Sequence, residues 1–167
     1  MRFGAWCSLV TWAMAFVVLT MSGAGCDSDG GGYGKDGSQT DLYAETLEIV
    51  GSYTDGYGGM HEIAADMWTQ TADYGSGPQS STFHLEQFDN AARWAAGQND
   101  PSNAYFPGKF SRFDWVTTGG KLFFCQTRYD AATIDEAIAA TAADSTDPAN
   151  SGCGGAFAWS ELTVVTN

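Results

Sequence analysis

The stretch Phe110-Ser111-Arg112-Phe113-Asp114-Trp115-Val116-Thr117-Thr118-Gly119-Gly120-Lys121-Leu122-Phe123-Phe124-Cys125-Gln126-Thr127-Arg128-Tyr129 decides the fold. Phe113 and Trp115 alternate with polar residues, and β character resumes at Lys121 after a Gly-Gly pair. Glycine takes positive φ without steric cost, so two aromatic-rich runs joined this way read as a β-hairpin. Phe123, Cys125, Thr127 and Tyr129 share one face of the second strand; Leu122, Phe124, Gln126 and Arg128 share the other. Both faces are partly apolar, which predicts a hairpin covered on both sides.

Working outward, the rest of the region also reads as β. Leu47, Ile49, Gly51 and Tyr53 alternate with Glu48, Val50, Ser52 and Thr54, and turn chemistry follows at Asp55-Gly56 and Gly58-Gly59. A second strand is expected over Met60 to Gln70, with Ile63, Ala65 and Met67 on one face. Residues 71 to 81 read as a loop, Ser81 to Phe88 as a third strand and Ala92 to Gln98 as a fourth, with Asn99 to Asn103 as loop. One helix interrupts. Thr133-Ile134-Asp135-Glu136 is a capping box, and Ile134, Ala137, Ile138 and Thr141 form a stripe, predicting a helix over 133–143. A last strand is expected over about Ala156 to Val165. There Phe157 and Trp159 fall on one face, Leu162 and Val164 on the other, so it carries a bulge near Ser160 or is buried on both sides. The fold class is therefore mainly β, a small antiparallel barrel or sandwich of about seven strands with one helix.

Upstream, Arg2 precedes the apolar run Leu9 to Met21, which is short of the ~20 residues a membrane-spanning helix needs. With its small-residue exit it reads as a cleaved signal. The segment Ser22-Gly23-Ala24-Gly25-Cys26 resembles the lipobox of bacterial lipoproteins at Ala24, Gly25 and Cys26 and departs from it at Gly23. The resemblance implies cleavage before Cys26, acylation of its thiol, and lipid anchoring in the cell envelope. Ordinary cleavage after Ala24 is the competing reading. The cysteines bear on this choice. Cys7 leaves with the signal; if Cys26 is acylated, Cys125 and Cys153 remain as an even pair, which an oxidising compartment would join. That bridge would close a loop of about 29 residues and contribute roughly 3–4 kcal/mol. The expected organisation is thus a signal over 1–25, a Gly/Asp/Ser tether over 26–40, and a single β-rich domain over 41–167.

Once Arg2 has gone, twenty acidic residues face six basic ones, a net charge of −14. That surface repels nucleic acid. The pattern Phe124-Cys125-Gln126, Tyr129-Asp130-Ala131-Ala132-Thr133, Gly152-Cys153-Gly154-Gly155 and Trp159 resembles a module recurrent in bacterial lipoproteins, with no activity attached to it. Gly51-Ser52-Tyr53 is loosely similar to the opening Gly-x-Trp of lipocalins, which implies a barrel and nothing about its ligand.

No motif names a reaction. His61 and His84 are the only histidines, too few for a His₃ metal site, and each reads as a structural or surface residue. There is no GxSxG elbow. Asp135-Glu136 are adjacent on a helix and point apart, so they do not make a carboxylate pair, and the capping role accounts for Glu136. Neither a metal nor a cofactor is expected. The aromatic content is the remaining signal. Most of these rings read as core, the alternative being that Trp68, Trp94 and Trp115 stack a small apolar or carbohydrate ligand. The expected role is a non-catalytic, membrane-tethered ligand- or partner-binding module; the alternatives are an envelope hydrolase acting on glycans or peptides and a purely structural surface protein.

Overall fold

The computed structural model describes residues 45–73 and 75–166. The signal segment, Cys26 and the tether lie outside the described residues. Eight strands run antiparallel in chain order and close on themselves: β1 (Gly51–Asp55), β2 (Met60–Ile63), β3 (Met67–Asp73), β4 (Pro78–Asp89), β5 (Trp94–Asn99), β6 (Phe110–Thr118), β7 (Lys121–Ala131) and β8 (Ser160–Val164), with β8 returning to β1. This is an up-and-down barrel in which every strand pairs with both of its neighbours over part of its length, β8 closing on β7 through Leu122 to Phe124. One short helix, α1 (Ile134–Ile138), stands between β7 and β8.

The β6–β7 hairpin forms as read. Thr118 pairs with Lys121, and Gly119 and Gly120 take φ of 58° and 77° in the two-residue turn. Type I′ turns need that conformation, which matches the twist of the flanking strands. Its two faces are both covered. Phe113, Trp115 and Phe124 face the barrel interior, where they pack with Leu47, Ile49, Tyr53, Trp68 and Phe83. Phe123 and Cys125 face outward into a second cluster with Val116 and Trp159, under the segment that leads into β8. Cys125 is bonded to Cys153, stapling that segment to the barrel wall. A third cluster seats α1 against the outer face of β5–β7, through Ala96, Ala131 and Ala137.

Elsewhere the elements depart from the expected limits, each for a physical reason. The single strand expected over 60–70 is two strands. The chain reverses at Ala64–Asp66, where the Ala64 amide donates to the Met67 carbonyl at 2.7 Å, so that Ile63 and Trp68 face each other across β2 and β3. Ala65 and Met67 are consequently exposed. The loop expected over 71–81 is mostly strand. Thr71 pairs with Ser80, and their hydroxyls meet at 2.8 Å. Pro78 is tolerated because it begins the strand. The first strand starts at Gly51 rather than 47: Leu47 and Ile49, buried, cap one end of the barrel instead. The last strand starts at Ser160; Phe157 lies outside it and is exposed, while Trp159 is buried and its indole N–H donates to the Asp144 carbonyl at 3.0 Å.

The helix is capped as expected and then stops early. Thr133 Oγ1 accepts from the Glu136 amide at 3.2 Å, and Glu136 reaches back to the Ala132 amide at 2.9 Å. Its C-terminal carbonyls are then taken by Arg112, whose Nη1 donates to both the Ile138 and the Ala140 carbonyl. The neighbouring Asp114 accepts from the Ala143 amide at 2.9 Å. The chain is drawn onto the barrel wall instead of continuing as helix.

The close approach of β4 and β5 depends on one glycine. A Cβ at Gly97 would lie 2.1 Å from the His84 carbonyl oxygen, where the β4–β5 register shifts between Leu85 and Gln87. Only a residue without a side chain fits that bulge. The outer surface of β1–β4 is mostly polar, with Ser52 donating to Glu62 and Thr69 beside Thr82, and Met60 and Met67 exposed on it. An apolar interior under a polar exterior is the inverse of a membrane-spanning barrel, whose lipid-facing band is apolar. No helix among the described residues is long and apolar enough to cross a membrane.

Candidate functional site at the barrel mouth

The two ends of the barrel differ. The end where the chain enters is plugged. Leu47 and Ile49 fill it, Tyr53 donates its hydroxyl to the Ile49 carbonyl at 3.0 Å, and the Trp115 indole donates to Glu48. Asn90 clamps the entering chain from the β4–β5 turn, accepting from the Glu48 amide at 3.0 Å and donating to the Thr46 carbonyl at 2.9 Å. The opposite end is lined by polar side chains and opens to solvent through two adjoining cavities, of about 150 Å³ and about 250 Å³. Gln70, Ser81 and Tyr105 line both.

Alternation along the strands puts these residues there. Trp68 and Gln70 lie on the inner face of β3, with Trp68 deep and Gln70 nearer the rim. Phe83 and Ser81 repeat that order on β4, and Phe124 and Gln126 on β7. Below the rim the interior is solid. Trp68 stacks on Phe113 with ring centroids 4.5 Å apart, and Phe83 meets Phe113 edge-on at 4.9 Å. No apolar cup runs down the barrel axis.

Two hydrogen-bond systems frame the mouth. In the first, the Trp68 indole N–H donates to His61 Nδ1 at 3.2 Å, and His61 Nε2 faces Asp55 Oδ2 at 3.2 Å. An indole nitrogen can only donate, so Nδ1 is the acceptor and the proton of neutral His61 sits on Nε2, donated to Asp55. Burial holds the imidazole below its ordinary value of 6.5, outweighing the upward pull of Asp55. For Asp55, burial pushes upward, but hydrogen bonds from the Gly59 amide, His61 and the Tyr57 amide win, and its carboxyl sits below its ordinary value. In the second system Gln126 donates to Ser111 at 3.0 Å, Ser111 donates to Asn99 at 2.6 Å, and Asn99 donates to the Phe106 and Tyr129 carbonyls at 2.8 and 3.0 Å.

That second system builds the roof. The β5–β6 loop, Asp100 to Lys109, arches over the mouth. Asn103 is buried and pairs with Thr82 as a strand residue would, accepting from its amide at 2.8 Å and donating to its carbonyl at 2.7 Å. Asp100 accepts from the Ser102 amide and hydroxyl and faces His84 Nε2 at 2.8 Å; hydrogen bonds from Ser102 and His84 lower its carboxyl to about 2. Phe106 is held at φ 51°, a conformation that bulky residues rarely adopt. Its ring lies 5.0 Å from that of Tyr129, and Tyr105 beside it is 73 % exposed. Backbone strain of this kind concentrates at ligand clamps.

Among the described residues two buried side-chain nitrogens have no hydrogen-bond partner, Gln70 Nε2 and Arg128 Nε. Arg128 Nε still faces Asp130 Oδ1 at 2.9 Å as an ion pair, which leaves Gln70 Nε2 without a protein partner of either kind. An unpartnered buried donor costs about 1–3 kcal/mol, and this one belongs to a side chain that lines both cavities.

The tryptophans singled out from the sequence lie elsewhere. Trp68 and Trp115 are core residues with no face open to a ligand, and Trp94 packs beside α1 with the Arg112 guanidinium 5.4 Å above its ring. Trp68 and Trp115 are packing elements buried at inward-facing strand positions, and Trp94 is partly buried beside the covering helix. The aromatic residues at the mouth are Tyr105, Phe106 and Tyr129. Their sequence signal was the run Tyr105-Phe106-Pro107-Gly108, two aromatics in a turn context that a strand reading passes over.

Among the described residues no hydroxyl is paired with an imidazole base: both nitrogens of His61 are engaged, and Ser102 donates to Asp100 rather than to His84. Among the described residues no group of three or more His, Cys, Asp or Glu side chains could hold a metal ion.

The depressed value of His61 makes a pH prediction. Unfolded chains take up a proton below about 6.5 that the folded barrel refuses. The stability this group contributes is therefore present above 6.5 and lost as pH falls from there. Asp55 and Asp100 extend the loss below their ordinary value of 3.8. Urea midpoints are expected to hold between pH 8 and 7 and to drop between pH 6.5 and 5. A midpoint that rises over the latter interval would show that His61 is not held neutral.

No protein-family model matches this chain, and no curated protein or solved structure matches it.

Proposed function

We propose that this chain is a lipid-anchored module of the bacterial cell envelope that binds a small ligand, without chemistry, in the mouth of its barrel. The observation that carries the binding reading is the buried, unpartnered Gln70 Nε2 in a side chain shared by two solvent-connected cavities. A ligand acceptor would relieve its desolvation cost. Two features support the reading. The roof is held rigid by Asn99 and Asn103, so little order has to be imposed on binding. The aromatic rings of Tyr105 and Tyr129 also lie beside the polar lining.

The anchor rests on the lipobox-like segment ending in Cys26. Two or more acyl chains, at about 0.8 kcal/mol per buried CH₂, give stable membrane attachment. In cells fed labelled palmitate, the full chain is expected to carry label and sediment with membranes, and the Cys26→Ser chain to be unlabelled and soluble. Unlabelled wild-type protein would remove the anchor. For the mouth, the detergent-solubilised full chain is titrated with a protein-free extract of envelope small molecules. Movement of the Gln70 side-chain amide resonance supports the site. An extract that moves nothing at the mouth would leave a structural role as the better account. The hydrolase alternative has no favourable observation, since the one histidine at the mouth has no free nitrogen.

A further inference from the structure

Resting on the reading of the mouth as a binding site, we propose that its ligand is a neutral, hydroxyl-rich ring, a single saccharide unit, stacked on Tyr105 and hydrogen-bonded by Gln70. The lining eliminates the other ligand classes in turn. Among the described residues, no lysine or arginine lines either cavity, and the chain carries a net charge of −13, so a phosphate or carboxylate ligand finds no partner. A cation finds no open carboxylate. Asp55 is the acidic residue of the lining, and its Oδ1 accepts from the Tyr57 and Gly59 amides at 2.8 and 2.7 Å while its Oδ2 faces His61. An apolar ligand finds no depth, because Trp68, Phe83, Phe113 and Phe124 fill the barrel below the rim.

What the lining offers is carboxamides and hydroxyls beside exposed rings. Gln70 and Gln126 supply amides, Ser81 a hydroxyl, and Tyr105 and Tyr129 the aromatic faces; the Asn99 amide is spent on Ser111 and on the Phe106 and Tyr129 carbonyls. Sugars present both matching surfaces, hydroxyls around the rim of the ring and C–H bonds on its faces. Cavities of about 150 and 250 Å³ fall below the roughly 300–1,000 Å³ of sites for drug-sized ligands, which limits occupancy to one ring with the remainder of any chain outside. Tyr105 lines both cavities and is 73 % exposed, so its ring is available to either. Its loop is fixed by the Asn103–Thr82 pairing and by Asn99 on the Phe106 carbonyl.

The test is an NMR titration of the full chain in detergent, read on the backbone amides of Gln70 and Ser81. The probes are glucose, galactose and N-acetylglucosamine, with inorganic phosphate and toluene as the charged and apolar alternatives. At least one sugar is expected to shift both amides saturably while phosphate and toluene do not. Tyr105→Ala, at an exposed position that leaves the barrel intact, and Gln70→Leu should each weaken that sugar about tenfold, the equivalent of one lost hydrogen bond or ring contact. Saturable shifts with phosphate or toluene and none with the sugars would overturn the saccharide assignment and leave the mouth as a binding site. No movement with any probe would count against both readings. Sugar binding undiminished in both variants would place the sugar elsewhere and overturn the proposal.

Discussion

Arg112→Met is expected to lower the stability of the barrel by about 3–5 kcal/mol, the cost of leaving a buried charge without its partner. Arg112 and Asp114 are both on β6, both buried and on its outer face, under the segment that follows α1. The guanidinium holds the Asp114 carboxylate through Nε and Nη2, each 2.9 Å from Oδ1, and carries the Ile138 and Ala140 carbonyls on Nη1. Methionine restores the length of the side chain and none of these bonds. Asp114 would keep only the Ala143 amide. A domain of this size has about 5–15 kcal/mol of stability in total, so the loss is a large share of it. The double variant Arg112→Met/Asp114→Leu separates charge from packing. It removes the stranded carboxylate but leaves the two carbonyls and the Ala143 amide unpaired, so it should recover part of the loss and not all of it. Urea unfolding of the three proteins measures this. A single variant within 1 kcal/mol of wild type would mean that water reaches Asp114.

The same pair shows why the helix was misjudged from the sequence. Thr133 and Glu136 state where it begins, because a cap is a local hydrogen bond between residues three apart. Where it ends is decided by a residue more than twenty positions earlier, which takes the last carbonyls for itself. The β6–β7 hairpin was legible for the same reason as the cap, its alternation and Gly119-Gly120 turn being local. The reversal at Ala64–Asp66 was not, since it contains neither glycine nor proline and exists because Ile63 and Trp68 must both face inward. The mouth was the least legible part. Asp55, Gln70, Asn99 and Gln126 meet only because β8 closes on β1, and no spacing in the chain announces that meeting. Aromatic abundance pointed to a core, which Trp68 and Trp115 form, but could not separate those rings from Tyr105 and Tyr129 at the rim.

Trp68 joins that core to the mouth, and replacing it should show both attachments. Trp68→Ala is expected to cost about 3–5 kcal/mol, the range for deleting a large buried ring. The side chain is fully buried and touches Phe113, Phe124 and His61, so the space it leaves cannot close without moving three strands. Trp68→Phe keeps most of the ring and removes the N–H that His61 Nδ1 accepts. It should cost less, about 1–3 kcal/mol for a buried acceptor left unpaired. Its second effect is the more informative. With Nδ1 no longer facing a fixed donor, the imidazole can take a proton there while Nε2 still donates to Asp55. The His61 value, depressed in the wild type, should therefore rise, and the acid loss of stability between pH 6.5 and 5 should shrink. Following the His61 Cε1–H resonance against pH in both proteins measures the shift directly. An unchanged His61 titration in Trp68→Phe would show that burial alone sets it and that the indole contributes packing without controlling the proton.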